Sequence, residues 1–537
     1  MAQQTWISRG RLIKSMLATG ALAACGGPIT STPEAQSRLC VPVSQDLPWI
    51  DQALANAIFA AFDKQSLLHQ FDTSPTLIAL LQPYFNQSGQ QVQRGHVISQ
   101  IPSAGIVITS PGIYAFGGNI TWSAAASLTS AITITCSDVT LNMGGYTLTA
   151  SVPDSSMHTA GIVVNGPVNN VVITGGTLTS FTEYGVLANG VCGLEVSYTT
   201  AAGLHLNDVT KRELTPAGVL AMYSQDVDVS KCTVQNSNIT TDAGAGIQLI
   251  RTSQATVSYC TAQSLVNNAG GMQGFSYLLC ENITTTNCTA QSLQTFYGGN
   301  DKTSGHTCIG FLPTLCFGMT ISGCTATKMT GCCDDCHGLS VFLCGDVTVS
   351  QFSASQILDG VTSGAATPSG AKATGIEVYS LLGVTVVDST AADIRALNPQ
   401  DLQAAGFSAW GLGVQFQNCT ASHVSVQNDL AVANMRGIGF GWAPDPRPGF
   451  DGVPASTTSY TDCQADTCDV AFDTWYHQLS TWTGTTYTNC ATGYLVEPLA
   501  TRALSCNPCS ECPNPPYQPQ PYVATLINIE FGNTYPH

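Results

Sequence analysis

The chain has 537 residues, 34 of them acidic and 17 basic, so only 9% are charged and the formal net charge is −17. An ordinary soluble domain carries about 25% charge; so poor a supply excludes helical coiled coils, charge-rich disordered proteins and basic nucleic-acid binders. The acidic balance repels polyanions, so no nucleic-acid partner is expected, and no run of about 18 apolar residues offers an ordinary transmembrane helix. The 22 cysteines fit an oxidising compartment or a core that uses Cys as a small hydrophobe.

At the N-terminus, Arg9, Arg11 and Lys14 precede a short apolar stretch from Met16 to Ala24, which ends in Leu22-Ala23-Ala24-Cys25. A basic region, an apolar region and a small-residue site are the parts of a secretory signal. Residues 1–25 therefore read as an export segment, placing the protein outside the cell, on a cell surface or on a particle surface. The last four residues resemble a bacterial lipoprotein box, in which Cys25 would be acylated. That lipid is the sequence's one route to a membrane, and a single acyl chain holds weakly. Residues 26–47 are a Pro/Ser/Thr linker. Over residues 48–100, Trp49, Ile50, Leu54, Ile58, Phe59 and Phe62, then Leu77, Ile78, Leu80 and Leu81, recur at helical spacing. This predicts a short helical cap over the end of the strand-rich region that begins near residue 101.

From residue 101 to about residue 500 the chain is a succession of short Val/Ile/Thr-rich strands broken by Gly, Asn and Ser. One template recurs from Gly185, Gly218, Gly246, Gly274, Gly310, Gly338 and Gly375, at intervals of roughly 28–37 residues. An apolar residue follows each glycine, an apolar residue or Thr fills two fixed later slots (Leu194/Val196, Val227/Val229, Ile283/Thr285, Val347/Val349, Val384/Val386), and a mostly small slot closes the unit. That last slot holds Cys232, Cys260, Cys288 and Cys324 in four successive units, then Phe352 and Ser389. Fixed spacing within units and variable spacing between them describes solenoid coils stacked in register, with the extra residues looping out. Two or three short strands per coil predict a parallel β-helix; about eleven coils at about 4.8 Å each give a rod on the order of 50 Å long.

The segments Ile106-Val107-Ile108-Thr109-Ser110-Pro111-Gly112-Ile113-Tyr114, Ile132-Thr133-Ile134 and Val139-Thr140-Leu141-Asn142-Met143-Gly144-Gly145-Tyr146 resemble the opening coils of right-handed, single-stranded parallel β-helix proteins of the pectin-lyase-like superfamily. The resemblance implies an all-β solenoid. Function stays open, because that fold carries lyases, hydrolases, epimerases, phage tailspikes and adhesins. It also leaves a homo-oligomer open, since related rods often trimerise.

Equivalent α-carbons on adjacent coils lie about 4.8 Å apart, within disulfide range. The ladder Cys232, Cys260, Cys288, Cys324 is thus read either as buried packing thiols or as partly bridged. Cys332, Cys333 and Cys336 share a turn and are the stronger disulfide candidates. Cys506, Cys509 and Cys512 sit among prolines in a tail over residues 501–537, which reads as disulfide-tied because a structural zinc needs four ligands. No metal and no cofactor are expected.

The densest chemistry is Cys332-Cys333-Asp334-Asp335-Cys336-His337-Gly338. Two adjacent carboxylates and a histidine at a strand mouth supply an acid/base set. The segment is similar to polygalacturonases, which implies Asp334 or Asp335 as the acid and His337 as an auxiliary group. It departs from them in placing the Asp pair and the His-Gly on one coil, and in lacking an Asn-Thr-Asp segment and an Arg-x-Lys. The alternative is an acidic turn beside structural cysteines. Trp410, Trp442, Trp475, Tyr476 and Trp482 crowd the late coils, either as sugar-stacking faces or as plugs of widening coils. Two functions are consistent with these residues. The first is an exported β-helix that binds glycans or serves a structural or adhesive role without catalysis; the second is a polysaccharide-degrading glycoside hydrolase.

Overall fold

The computed structural model describes Tyr84 and residues 90–496, apart from residues 93–94, 153, 209–214, 297–306, 333–334, 361–371, 398–403, 412, 428–435, 442–455 and 475–477. Within these bounds the chain is a right-handed parallel β-helix, as the resemblance implied. Three parallel ladders run the length of the rod. The first passes through Tyr184–Ala202, Ala217–Met222, Ala243–Ile250, Gly271–Leu278, Cys308–Thr314 and Asp335–Ser350. Long strands such as Tyr184–Ala202 and Lys372–Val387 bend around a corner and belong to more than one ladder, which joins all three into one continuous sheet.

The repeat slots coincide with the strand register. Leu194 pairs with Val227, Val227 with Ala255 and Ala255 with Ile283, while Val196, Val229, Val257 and Thr285 form the parallel row two residues on. All eight are buried. Strand alternation sends every second side chain inward, so a one-residue slip would expose the whole row.

The template glycine has a steric cause. A Cβ on Gly246, Gly274, Gly310, Gly338 or Gly375 would lie 2.5–2.6 Å from the carbonyl oxygen of the next coil's glycine, and 2.6–2.8 Å from the Cβ of Ala262, Ala290, Ala326, Ala354 or Ala391. Glycine and alanine thus form a close-packed seam along the interior. Larger interior gaps are filled by rings in face-to-face stacks, Phe275 on Phe311 at 4.6 Å and Phe407 on Phe440 at 4.7 Å.

One corner is built in most coils from a residue with positive φ followed by a small donor side chain. Lys231 (φ 53°), Tyr259 (φ 54°) and Asn287 (φ 53°) precede Cys232, Cys260 and Cys288. The thiols of Cys232, Cys260, Cys288 and Cys324 donate to the carbonyls of Ser230, Ser258, Thr286 and Ser322 at 3.3–3.4 Å. Ser389 does the same to Val387 at 2.9 Å. The sulfur also accepts: Cys232 N–H donates to Cys260 Sγ and Cys288 N–H to Cys324 Sγ, both at 3.4 Å, as Phe352 N–H does to Ser389 Oγ at 3.2 Å. The ladder is therefore a column of free, buried thiols doing a hydroxyl's work, which settles the two readings in favour of packing thiols. Cys280, Cys316 and Cys344 repeat the device at a second corner, and burial pushes the Cys280 and Cys344 thiols well up.

Two expectations need correction. Residues 90–92 and 97–98, inside the span 48–100 assigned to a helical cap, are strands paired with 106–108 and 115–116, so the solenoid starts earlier than residue 101. Tyr84 is helical, but its ring packs against Tyr184 on the side of the rod, within an apolar cluster on the outer surface of the first ladder (Val163, Leu187, Leu220). The remainder of the cap, the export segment with Cys25, the linker and the tail with Cys506, Cys509 and Cys512 lie outside the described residues. Cys336 is a free, buried thiol in register with Cys308, not half of a disulfide in the Cys332 turn; Cys333 lies outside the described residues.

Candidate functional site

The outer surface of the first ladder changes character along the rod. One outward row reads Val163, Leu187, Leu220, then Gln248, Ser276, Leu312, Ser340, Glu377 and Ser408. It is apolar where Tyr84 packs and mostly polar beyond. Asp335 and His337 lie on the polar part, at the start of Asp335–Ser350. The next coil brings Lys372, Thr374 and Glu377 opposite Asp335, His337 and Ser340.

These side chains form one network. Lys372 Nζ pairs with Glu377 Oε1, and Ser340 donates its hydroxyl to Glu377 Oε2 at 2.8 Å. His337 Nε2 stands 3.6 Å from Glu377 Oε2 and 3.8 Å from Asp335 Oδ1, distances of electrostatic contact rather than hydrogen bonding. The backbone N–H of Lys372 donates to Asp359 Oδ2 at 2.7 Å. The side chains of Asp335, His337, Lys372 and Glu377 are 7% exposed or less. Burying charge is tolerable only where it is paired, and here the Lys372 ammonium is paired with Glu377 while Asp335 faces the His337 imidazole.

Of the sequence-derived acid/base set, Asp335 and His337 are thus brought together, while Asp334 lies outside the described residues. Sequence reasoning misses Glu377 and Lys372. Glu377 has a signal: it sits two residues after a template glycine, and Leu187, Leu220, Gln248, Ser276, Leu312, Ser340 and Ser408 fill that slot elsewhere. It is the one carboxylate in the series. Lys372 precedes its template glycine in a segment of irregular spacing, and nothing in the repeat marks it.

Of the aromatic candidates, Trp482 is 9% exposed and belongs to the interior, in register with Tyr460 and 5.3 Å from the Tyr494 ring. Its ring plugs a coil and offers no face to a sugar. Trp410 lies opposite Tyr379 on the strand Ala404–Gly411. Trp442, Trp475 and Tyr476 lie outside the described residues.

A second buried polar cluster lies where Tyr84 meets the rod. Tyr84 donates its hydroxyl to Glu183 Oε2 at 2.6 Å, and His158 Nδ1 stands 3.0 Å from the same oxygen. His158 Nε2 is 3.1 Å from Asp208 Oδ2. The imidazole bridges two carboxylates and donates to both when it carries both protons. Among the described residues, no group of three or more His, Cys, Asp and Glu side chains is arranged to hold a metal ion.

No family model and no curated protein matches the chain. Among solved structures, it is similar to the tailspike protein of E. coli bacteriophage HK620 in complex with a pentasaccharide, at 13% identity over 72% of each chain with a TM-score of 0.38. It is also similar to the periplasmic alginate epimerase AlgG, at 11% identity over 73% of this chain and 79% of that one, TM-score 0.34. A PL6 alginate lyase in complex with a trisaccharide aligns at 13% identity over 79% of this chain and 85% of that one, TM-score 0.32.

Proposed function

We propose that this chain is an exported or particle-surface β-helix rod that binds glycans and does not cleave them. The observation that carries the second half is the closure of the acid/base cluster. His337 is fully buried, Lys372 and Glu377 are paired with each other, and Asp335 Oδ1 stands 3.8 Å from His337 Nε2. A hydrolase needs its two carboxylates open to the sugar and to a water. The first half rests on the rod's surface, where in-register rows of hydroxyls and amides, such as Thr256, Thr284 and Thr320 or Gln263 and Gln291, run parallel to its axis. Repeated donors and acceptors of this kind suit a repeating polyhydroxylated chain. Retention of fluorescent oligosaccharides by the immobilised full chain tests the reading; retention of none would refute it.

A glycoside hydrolase is the second reading. It is favoured by one observation: Asp335 and Glu377, on adjacent coils, both approach the same nitrogen of His337.

A further inference from the structure

Tyr198 and Tyr259 are 58% and 60% exposed, against near-complete burial of most other rings in the rod. Both stand at the same corner. Ser197, Ser230 and Ser258 are in register, as are Thr200, Thr233 and Thr261, so Tyr198, Lys231 and Tyr259 occupy one position on three successive coils. The two rings are two coils apart, about 9.6 Å. Lys231 lies between them, its ammonium bonded to the Tyr198 hydroxyl at 2.5 Å and 4.6 Å from the centre of that ring.

Folding alone does not ask for these residues. All three have positive φ (50°, 53° and 54°), a conformation bulky side chains adopt at a cost. In later coils the same corner holds Asn287, Gly323, Gln351, Asp388, Asn418, Asp462 and Asn489, all but Gln351 of the residue types that accept it readily. Among the described residues, Tyr198 and Tyr259 are the large exposed rings held at positive φ. Alongside them run the hydroxyls of Ser197, Ser230 and Ser258, and the outward carboxylates of Glu195 and Asp228, which are themselves in register. Burial and the neighbouring Glu195 push the Asp228 carboxyl up.

We propose that Tyr198, Lys231 and Tyr259, with Glu195 and Asp228 beside them, form a binding strip for a neutral oligosaccharide lying along the corner of the rod. A sugar presents an apolar face to a ring and hydroxyl donors to carboxylates, and this strip offers both. The uncovered Tyr259 ring is the stacking platform. Lys231 and Tyr198 brace each other as the polar end, and Glu195 and Asp228 accept from sugar hydroxyls. Those carboxylates, on a chain of net charge −17, turn away a polyuronate.

The inference rests on the glycan-binding reading above, and the test separates the two. Full-length protein is titrated with cellohexaose, mannohexaose, chitohexaose and, as the acidic probe, an oligogalacturonate. The wild type should bind at least one neutral probe more tightly than the oligogalacturonate. Tyr259→Asn should weaken that binding at least tenfold while leaving the thermal midpoint unchanged or raised, and Tyr259→Phe should stay within about twofold of wild type. Unchanged affinity in Tyr259→Asn with a lowered midpoint would make the strip a structural clip and overturn the inference. A preference for the oligogalacturonate would also overturn it. Failure of the wild type to bind any probe would refute the glycan-binding reading itself.

Discussion

Replacing Cys260 tests whether the cysteine columns act as hydrogen-bonding turn closures. Its single thiol proton is shared between Ser258 O and Val229 O, both at 3.3 Å, and its sulfur accepts the Cys232 N–H at 3.4 Å. Cys260→Ala removes the donor and leaves the buried Cys232 N–H without that acceptor, and an orphaned buried polar group costs about 1–3 kcal/mol. Cys260→Ser keeps both roles, as Ser389 does naturally between Val387 O and the Phe352 N–H. The serine variant should therefore stay within about 1 kcal/mol of wild type. Cys260→Val fills the volume without the donor and should be no better than alanine, since overpacking itself costs about 1–3 kcal/mol. Urea unfolding at constant slope reads the order wild type ≈ Ser > Ala ≥ Val. A serine variant as unstable as the alanine variant would refute the hydrogen-bonding role. A wild type destabilised by reductant, in step with loss of a bridge at Cys260, would refute the free-thiol ladder.

Gly310→Ala should destabilise the rod by about 1–3 kcal/mol or block its folding, because the new methyl would lie 2.5 Å from Gly338 O; a neutral result in thermal unfolding would refute the close-packed seam. Glu377→Gln strands the buried Lys372 ammonium and should cost about 3–5 kcal/mol, with Lys372→Met in the same chain recovering much of it; denaturation of the single and double variants checks the coupling. Burial pushes the Cys468 thiol up to about 12. Its folded value thus exceeds its unfolded one of about 8.5, so its contribution is full below pH 8.5 and falls as pH rises toward 12, by at most about 1.4 kcal/mol per pH unit. Cys468→Ser should flatten that part of the stability–pH curve; an unchanged slope would contradict the assignment.

The fold is legible in the sequence because a solenoid repeats its interior. The pair Val227/Val229 returns one coil later as Ala255/Val257, at an offset set by stacking rather than by the loops between. The boundary of the cap at residue 100 is set too late, because the helical spacing ends at Leu81 and strands begin at Gln90, while Tyr84 lies against the rod's flank. The cysteine columns stand out in the repeat, but their hydrogen bonds do not, since donor geometry at a corner depends on the positive φ of the preceding residue. The site is half legible. Asp335 and His337 are neighbours in sequence, whereas Glu377 and Lys372 reach them only through coil stacking. Trp482 stays open between sugar platform and coil plug in the sequence because composition cannot tell which face of a strand a ring occupies.

The central claim, a rod that holds glycans without cutting them, is tested most directly by incubating the full chain with an oligosaccharide it retains and following reducing-end release over hours. The account predicts retention with no release above buffer, identical for wild type, Asp334→Asn and Asp335→Asn. Release by the wild type that is abolished in Asp335→Asn, with the fold intact, would contradict it and establish the hydrolase.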